Sequence, residues 1–203
     1  MLETAEQIVQ TDISWRGLSY LKGAARNGRT VHPVACDAGN LPFLNGSFDG
    51  IICSEVLEHI EDDRRALWEI ARATKPGGEL VLTCPIHQKL FDFDDKFVGH
   101  YRRYEIAELL AELSRQGFGE FQIRALLGSL EKGLMLFATK IFSVFKRKGD
   151  ARSLGKTGLF LARLFFPFYL LANYLLAGLV FLEARSLAVE RAATICIRCR
   201  KSN

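Results

Sequence analysis

Polar side chains follow three short apolar segments of this 203-residue chain, and their types suit recognition of a nucleoside. Asp12 ends the first segment, where its carboxylate could accept hydrogen bonds from both hydroxyls of a ribose. Asp37 ends the second, and it could accept from an adenine amino group while the backbone N–H of Ala38 faces a ring nitrogen. Ser54 and Glu55 follow the third segment and would line the other side of the ligand. Because a lone aspartate at a strand end is more often a turn residue, the prediction depends on the recurrence of the pattern.

The elements that must position these residues alternate between short apolar runs and stretches of helical period. Strands are predicted over 8–12, 31–36, 48–53, 79–84, 120–126 and 192–200, and helices over 15–26, 62–74 and 104–117. This alternation predicts an α/β fold with a mostly parallel, Rossmann-like sheet that is covered on both faces. Ligands of such sheets bind at the carboxyl ends of the strands, which is where the polar residues lie.

The charge is unevenly divided along the chain. Residues 1–123 carry 13 basic and 19 acidic side chains, whereas residues 124–203 carry 14 basic and 4 acidic ones. A hydrophobic content of 49% with 25% charged residues excludes a disordered or fibrous chain. The excess of basic side chains in residues 124–203 predicts an anionic binding partner. Nucleic acid is not the expected partner, because these basic residues accompany long apolar runs.

A hydrophobic insert precedes the last predicted strand. Residues 133–145 are apolar apart from Lys140, a basic connector spans 146–156, and residues 164–182 contain no charge. We expect a helical hairpin that lies in one leaflet of a membrane, with the connector at anionic headgroups. A buried cap over the sheet or a dimer interface would also explain the insert. The predicted domains are therefore an α/β domain of residues 1–125 plus 192–203 and the insert of residues 126–191.

The cysteines and one acidic cluster are interpreted as structural. Cys36, Cys53 and Cys84 lie in apolar runs that predict buried strands. Cys196 and Cys199 would point to opposite faces of a strand, which is poor geometry for a shared metal. Asp92, Asp94 and Asp95 are interpreted as a solvated loop, so no metal is expected. Without a recognisable signal peptide, the expected location is the cytoplasm, peripheral on the inner face of the membrane.

Residues 36–85 resemble the core of a class I S-adenosylmethionine-dependent methyltransferase, of the type 11-like group. The matching elements, in order, are Asp37-Ala38, Leu41-Pro42-Phe43, Ser47-Phe48-Asp49, Glu55-Val56-Leu57-Glu58-His59 and Lys75-Pro76-Gly77-Gly78. Residues 9–14 resemble the second strand of that family with its ribose-binding acid, and residues 99–104 resemble a segment before the next helix. The resemblance covers residues 1–125 and 192–200 but not the insert.

The resemblance implies a strand order of 3-2-1-4-5-7-6, with the seventh strand antiparallel, and S-adenosylmethionine as the cofactor. The residues that it implies for cofactor binding are Asp12, Ile13, Asp37, Ala38, Ser54 and Glu55. The family's first strand and its glycine-rich turn have no counterpart here, since no G-x-G-x-G occurs in the sequence. We expect either a protein truncated at its start or a chain that re-pairs around the gap.

The residues with catalytic potential are His59 and His100. A general base is needed only when the methyl acceptor is a hydroxyl or an acidic carbon, and the resemblance places His59 near the expected methyl position. Arg102, Arg103 and Tyr104 could bind an anionic acceptor together with His100, because arginine forks match phosphate and carboxylate. The structural alternative for His59 is a polar residue at a helix terminus. The alternative for His100 and the arginines that follow it is a solvated basic turn.

The sequence therefore predicts S-adenosylmethionine-dependent methyl transfer to a small or lipid-linked amphiphilic acceptor at the cytosolic membrane face. A truncated, non-catalytic methyltransferase-like protein with membrane-binding helices is the alternative. A nucleotide-dependent oxidoreductase is disfavoured by the absence of a glycine fingerprint.

Overall fold

The computed structural model of the chain describes residues 7–19, 30–128, 133, 174, 177–183 and 185–203. The strands of these ranges are β1 (Gln7–Asp12), β2 (Thr30–Ala35), β3 (Phe48–Ser54), β4 (Thr74–Pro85), β5 (Phe118–Leu127) and β6 (Thr194–Lys201). The helices are α1 (Trp15–Ser19), α2 (Asp63–Ala73), α3 (Phe93–Val98) and α4 (Ile106–Arg115), with single 3-10 turns at Leu57–His59, Gln88–Leu90 and Val189–Arg191. Residues 177–183 are also helical.

The strands form two sheets. β1 and β2 are parallel and pair in register from Gln7 opposite Thr30 to Asp12 opposite Ala35. The second sheet has the order β3-β4-β6-β5, and its β3–β4 pair is also parallel. Strands alternate with helices along the chain, so the predicted α/β, Rossmann-like class is confirmed.

The two sheets follow the strand order that the resemblance implies, with an interruption. In that order β2 and β1 take positions 3 and 2, whereas β3, β4, β6 and β5 take positions 4, 5, 7 and 6. Among the described strands, β1 pairs with β2 and β3 pairs with β4, and no described strand joins the two sheets.

The chain divides into two compact units. The first unit comprises Met1–Thr83, Ile106–Gln122 and Ile197–Asn203, and the second comprises Cys84–Glu105 and Ile123–Cys196. In the first unit, the apolar face of α2 is buried through Ala66, Leu67 and Ile70. The helix begins where Asp62 accepts a hydrogen bond from the backbone N–H of Arg65, as expected for an N-cap aspartate. The buried residues of the second unit include Ile86, Ala192, Ala193 and Ile195.

The α2–β4 junction differs from the predicted one. The helix ends at Ala73 and β4 begins directly at Thr74, five residues before the predicted strand. Thr74 opposes Phe48, and the register shifts before Gly50 opposes Glu79. The Pro-Gly-Gly sequence therefore forms an irregularity within a strand rather than a loop. Its Gly78 fits where a side chain would not, since a Cβ there would lie 2.8 Å from Thr74 Cγ2 and 2.9 Å from the Lys75 carbonyl oxygen.

Most of the predicted hydrophobic insert lies outside the described residues, including 134–173 and with it the whole basic connector. Of the insert the structure describes 126–128, 133, 174, 177–183 and 185–191. Residues 20–29, which include the end of the predicted helix 15–26, lie outside the described ranges as well. Across those ranges we find no helix with both the length and the apolar character needed to cross a bilayer.

Candidate functional site

The carboxyl ends of β1 and β2 bring Asp12 and Asp37 to one edge of the first sheet. The backbone N–H of Cys36 donates to the carbonyl oxygen of Asp12 across 3.1 Å, one residue before Asp37. Both aspartates are exposed, as is Ile13, whereas Ala38 is half-buried. The parallel register of the two strands therefore places the residues predicted to contact ribose and adenine beside each other.

Each of these aspartates also closes its own turn. Asp12 Oδ1 accepts from the backbone N–H of Ser14 at 2.7 Å, and Asp37 Oδ1 accepts from that of Gly39 at 2.8 Å. Such Asx turns fix the side-chain direction at a strand end. The turn role and the ligand role are compatible, because the turn contact engages one oxygen of each carboxylate.

The carboxyl end of β3 carries Ser54 and Glu55 in the same unit. The Ser54 hydroxyl lies 2.9 Å from the Thr83 hydroxyl, and the Glu55 N–H donates to Thr83 Oγ1 and to the Thr83 carbonyl oxygen, each at 3.1 Å. Glu55 has a φ of +50°, which is uncommon for a residue with a side chain. Non-glycine residues in this region concentrate at functional sites, where the surrounding hydrogen bonds hold the strain.

His59 lies in the 3-10 turn that follows β3, not at the start of the next helix, which begins at Asp63. Its side chain is exposed. The turn is closed by the His59 N–H, which donates to the Val56 carbonyl oxygen at 3.0 Å. His59 is therefore a surface residue of the first unit, four residues beyond Glu55.

A helix-borne arginine holds the loop that follows Asp37 and Ala38. Arg72 of α2 donates from Nη1 to the Phe43 carbonyl oxygen at 2.7 Å and from Nη2 to the Leu41 carbonyl oxygen at 3.0 Å. It also reaches the Asn45 side chain at 2.9 Å. The guanidinium thus fixes residues 41–45 by three contacts.

Glu69 completes this arrangement, which we call the loop clamp (Glu69 and Arg72). The Glu69 carboxylate is buried, accepts from the Leu41 N–H at 2.9 Å, and pairs with Arg72 at 2.6 Å. Hydrogen bonds from Arg72 lower the pKa of Glu69 below its ordinary value, against the opposing effect of burial. The sequence analysis missed this pair. Its signal was the acid at position 69 on the same helix face as the apolar Ala66 and Ile70.

The segment 92–103 in the second unit contains an internal charge network. Arg103 donates from Nε to both carboxylate oxygens of Asp95, at 2.9 and 3.0 Å, and His100 Nδ1 lies 2.8 Å from Asp95 Oδ1. Arg103 Nη1 donates to the Ala193 carbonyl oxygen at 3.2 Å. Arg103 is buried and makes its contacts inside this unit, so it is not placed as a surface ligand for an acceptor. Of the residues predicted for an anionic acceptor, Arg102 and Tyr104 are half-buried.

The interpretation of Asp92, Asp94 and Asp95 as a solvated loop is wrong. They begin α3, with Asp92 as its N-cap in a capping box with Asp95, and Asp94 and Asp95 are buried. The ion pair with Arg103 and the contact with His100 compensate the burial of the Asp95 charge.

The predicted buried strand position is confirmed for Cys53 and Cys84 and is wrong for Cys36, which is half-buried and follows the end of β2 at Ala35. All five are free thiols, and Cys53, Cys84 and Cys199 are buried. Burial raises the pKa of Cys53 and of Cys199 to about 12, so both thiols are neutral at physiological pH. Cys196 and Cys199 lie three residues apart on β6, on opposite faces of the strand.

Comparisons with known proteins agree with this architecture. The profile of the methyltransferase domain family matches residues 1–82. The demethylmenaquinone methyltransferase of Paenarthrobacter aurescens (strain TC1) is 41% identical over 75 residues, which are 37% of this chain and 28% of that protein. The demethylmenaquinone methyltransferase of Thermobifida fusca (strain YX) is 48% identical over 60 residues, 30% of this chain and 25% of that protein. The matches thus span about a quarter of these relatives' length.

Solved structures share the fold at low identity. Phosphoethanolamine N-methyltransferase 2 of Haemonchus contortus, in complex with S-adenosylmethionine, superposes with a TM-score of 0.58 at 20% identity, covering 97% of this chain and 44% of that one. The cyclase SpnF superposes with a TM-score of 0.56 at 20% identity, covering 97% and 66%. The two differ in stated activity, so the superpositions define the fold alone.

The profile match over residues 1–82 and the superpositions agree on the fold of S-adenosylmethionine-dependent methyltransferases. One of the superposed proteins was solved in complex with S-adenosylmethionine. The described residues fit its adenosine part, because Asp12 and Asp37 present carboxylates at adjacent strand ends and the loop clamp holds residues 41–45, four residues beyond Asp37.

Proposed function

We propose that the protein transfers a methyl group from S-adenosylmethionine to a small or lipid-linked amphiphilic acceptor at the cytosolic face of a membrane. The observation that carries the proposal is the common edge of Asp12 and Asp37, set by the parallel register of β1 and β2. Two acids there, each with one oxygen in a local turn, match the donors of one adenosine.

In this proposal each strand end has a separate task. Asp12 accepts from the ribose hydroxyls with Ile13 beside it, and Asp37 accepts from the adenine amino group next to the Ala38 N–H. Ser54 and Glu55 line the cofactor from the end of β3. When bound, S-adenosylmethionine supplies an electrophilic methyl group, so the chain's own residues need mainly to orient an acceptor and exclude water.

Proton removal is the step for which side chains are needed. An acceptor hydroxyl or acidic carbon must lose a proton, and His59 of the first unit is an exposed imidazole suited to take it. His100 of the second unit is the other candidate. Asp95 orients its ring through Nδ1, as carboxylates orient catalytic imidazoles.

The acceptor class is supported by the relatives and by the sequence. The curated relatives are named demethylmenaquinone methyltransferases, and that name denotes an acceptor of quinone type. In this chain the charge-free run of residues 164–182 and the basic connector before it favour an acceptor that resides at a membrane surface. Arg102 and Tyr104 are the polar residues proposed to contact that acceptor.

A non-catalytic, methyltransferase-like protein is the second candidate. Two observations favour it: no described strand joins the sheet of β1 and β2 to the sheet of β3, and the sequence has no G-x-G-x-G. Without such a turn, fewer backbone N–H groups approach the methionine part of the cofactor.

Calorimetric titration with S-adenosylmethionine, followed by transfer of a labelled methyl group to membrane lipid extracts, separates the two candidates. We expect saturable heat and label in the lipid fraction. Binding heat without transfer of the labelled methyl group would support a cofactor-binding protein. No binding heat up to millimolar S-adenosylmethionine would support the non-catalytic candidate. Asp49→Asn is the matched control, because Asp49 is exposed near the start of β3 and forms an ion pair with the surface residue Lys75.

A further inference from the structure

Thr83 is a buried polar residue of β4 to which the proposed function assigns no task. It exposes 8% of its surface and lies opposite Ser54 in the parallel β3–β4 pair. Its side chain contacts Ser54 and Glu55 at the carboxyl end of β3, and both of these residues are exposed. The Thr83 hydroxyl therefore links the interior of the first unit to a strand end of the proposed cofactor site.

The Thr83 hydroxyl has two polar partners among the described residues. Its Oγ1 accepts from the backbone N–H of Glu55 at 3.1 Å and lies 2.9 Å from Oγ of Ser54. Because an amide N–H only donates, Oγ1 of Thr83 is the acceptor in the first contact. The single hydrogen of the Thr83 hydroxyl is then available for the second contact.

The contact between the two hydroxyls has a preferred direction. If Ser54 donated to Thr83, the hydrogen of the buried Thr83 hydroxyl would have no acceptor among the described residues, and an unsatisfied buried donor is costly. If Thr83 donates, both of its contacts are satisfied. The hydrogen of the exposed Ser54 hydroxyl is then left for a ligand, so Ser54 acts as a donor at this strand end.

Thr83 also holds the backbone that follows Ser54. Glu55 has a φ of +50°, and its N–H donates to the carbonyl oxygen of Thr83 at 3.1 Å as well as to Oγ1. A residue with a side chain adopts this region at an energetic cost, which the surrounding contacts must compensate. Thr83 therefore fixes both the direction of the chain after β3 and the orientation of the Ser54 hydroxyl.

We propose that Thr83 is a positioning residue that makes Ser54 a hydrogen-bond donor to an oxygen atom of the bound ligand. That oxygen belongs to the carboxylate of the amino-acid end of S-adenosylmethionine or to a carbonyl or hydroxyl group of the methyl acceptor. In both cases its lone pair accepts from Ser54, and Thr83 acts only through Ser54. The inference rests on the proposed function, in which Ser54 and Glu55 line the cofactor.

The cofactor arm of the test is calorimetric titration of the full chain with S-adenosylmethionine and with 5′-methylthioadenosine, which lacks the amino-acid end. If the oxygen is that of the cofactor carboxylate, Ser54→Ala should weaken binding of S-adenosylmethionine about tenfold, because one hydrogen bond is lost. Binding of 5′-methylthioadenosine should be unchanged. Thr83→Val should weaken binding of S-adenosylmethionine about threefold, because the Ser54 hydroxyl remains but is not oriented.

The acceptor arm measures initial rates of methyl transfer to membrane lipid extracts. If the oxygen belongs to the acceptor, both variants should raise the KM for the extract and leave kcat and binding of S-adenosylmethionine unchanged. In either arm Ser54→Ala/Thr83→Val should behave like Ser54→Ala alone, because Thr83 acts through Ser54. Thr83→Ser, which keeps the hydroxyl, should restore the behaviour of the unchanged protein.

Ser47→Ala is the matched control. Ser47 is an exposed serine just before β3, at the opposite end of that strand, and its hydroxyl donates to the Leu44 carbonyl oxygen at 2.6 Å. This variant should leave both arms unchanged, and circular dichroism should show that every variant is folded. If Thr83→Val does not fold, Ser54→Ala and Thr83→Ser decide the outcome, since Ser54 is exposed and Thr83→Ser keeps the hydroxyl.

Two results would overturn the proposal while the proposed function stands. One is methyl transfer by the unchanged protein with no effect of Ser54→Ala in either arm. The other is an effect of Thr83→Val that persists in the Ser54→Ala background, which would mean that Thr83 acts by a route other than Ser54. Absence of both binding heat and transferred label with the unchanged protein would count against the proposed function itself, and the inference would fall with it.

Discussion

Arg72 and Glu69 form an ion pair of 2.6 Å between Nη2 and Oε2, and both side chains also bind the backbone of the loop after β2. The Glu69 carboxylate accepts from the Leu41 N–H, and the Arg72 guanidinium donates to the Leu41 carbonyl oxygen. Both backbone groups of one loop residue are therefore hydrogen-bonded to α2. This loop begins at Asp37 and Ala38. The helix α2 therefore fixes the segment that leaves the proposed adenine site.

Substitution of Arg72 by lysine should weaken both the fold and the cofactor site. An ammonium group cannot donate to Glu69, the Leu41 carbonyl and the Phe43 carbonyl in the planar fork of a guanidinium. We expect a loss of about 1–3 kcal/mol in the free energy of unfolding, measured in urea, together with weaker binding of S-adenosylmethionine in calorimetry. The control is Arg64→Lys on the same helix, whose side chain is largely exposed. Equal behaviour of the two variants would contradict the role of the loop clamp.

The loop clamp should give the protein a pH-dependent stability at the acid side. Arg72 lowers the pKa of Glu69 in the folded protein, so the unfolded chain binds more protons than the folded one as the pH falls. The stabilisation is complete above about pH 4.5 and is lost as the pH falls through the folded pKa. Urea unfolding of the unchanged protein and of Glu69→Gln should differ most near neutral pH and converge in acid. A difference that does not change with pH would show that the Glu69 charge makes no contribution.

Asparagine in place of Asp12 or Asp37 separates the turn role of each residue from its ligand role. The amide oxygen can still accept from the Ser14 or Gly39 N–H, so stability should change by less than about 0.5 kcal/mol. The charge that would face the adenosine is removed, and the affinity for S-adenosylmethionine should fall about tenfold for each variant. Unaltered calorimetric affinity in both variants would remove the aspartates from the cofactor site.

The sequence was sufficient for most strands and longer helices but not for helix α3 or for the side-chain networks. β1, β2 and β3 lie within a residue or two of their predicted bounds, because alternating apolar runs that end at acids are strong local signals. Helix α3 was missed because its six residues bury acids and expose phenylalanines, which reverses the pattern that periodicity detects. Its capping box and Gly99 were the remaining local signs. The contacts between the loop clamp and the loop after β2 join residues about 30 positions apart, and no local sequence pattern indicates such contacts.

The Pro-Gly-Gly irregularity in β4 should be intolerant of a side chain. A Cβ at Gly78 would lie 3.1 Å from the Asp49 carbonyl oxygen, in addition to its close contacts with Thr74 and Lys75. Since two of these three neighbours are backbone atoms, Gly78→Ala should cost about 1–3 kcal/mol in thermal or urea unfolding. Gly119→Ala is the control, because nothing lies within 4 Å of a Cβ at that position. If the two variants are equally stable, β4 is not packed as described.

The Asp95–Arg103 pair should be strongly coupled, because both partners are buried and removal of either takes away the bidentate ion-pair partner of the other. Asp95→Asn and Arg103→Met should each lose about 3–5 kcal/mol of unfolding free energy. The double variant should lose clearly less than the sum of the two, since no lone charge remains, and the coupling from the cycle should exceed about 1 kcal/mol. Lys96→Gln, on the exposed side of α3, should change stability by less than about 0.5 kcal/mol. Additive losses in the double-mutant cycle would mean that Asp95 is held by contacts other than that with Arg103. A different contact would then have to hold α3 with its acids buried.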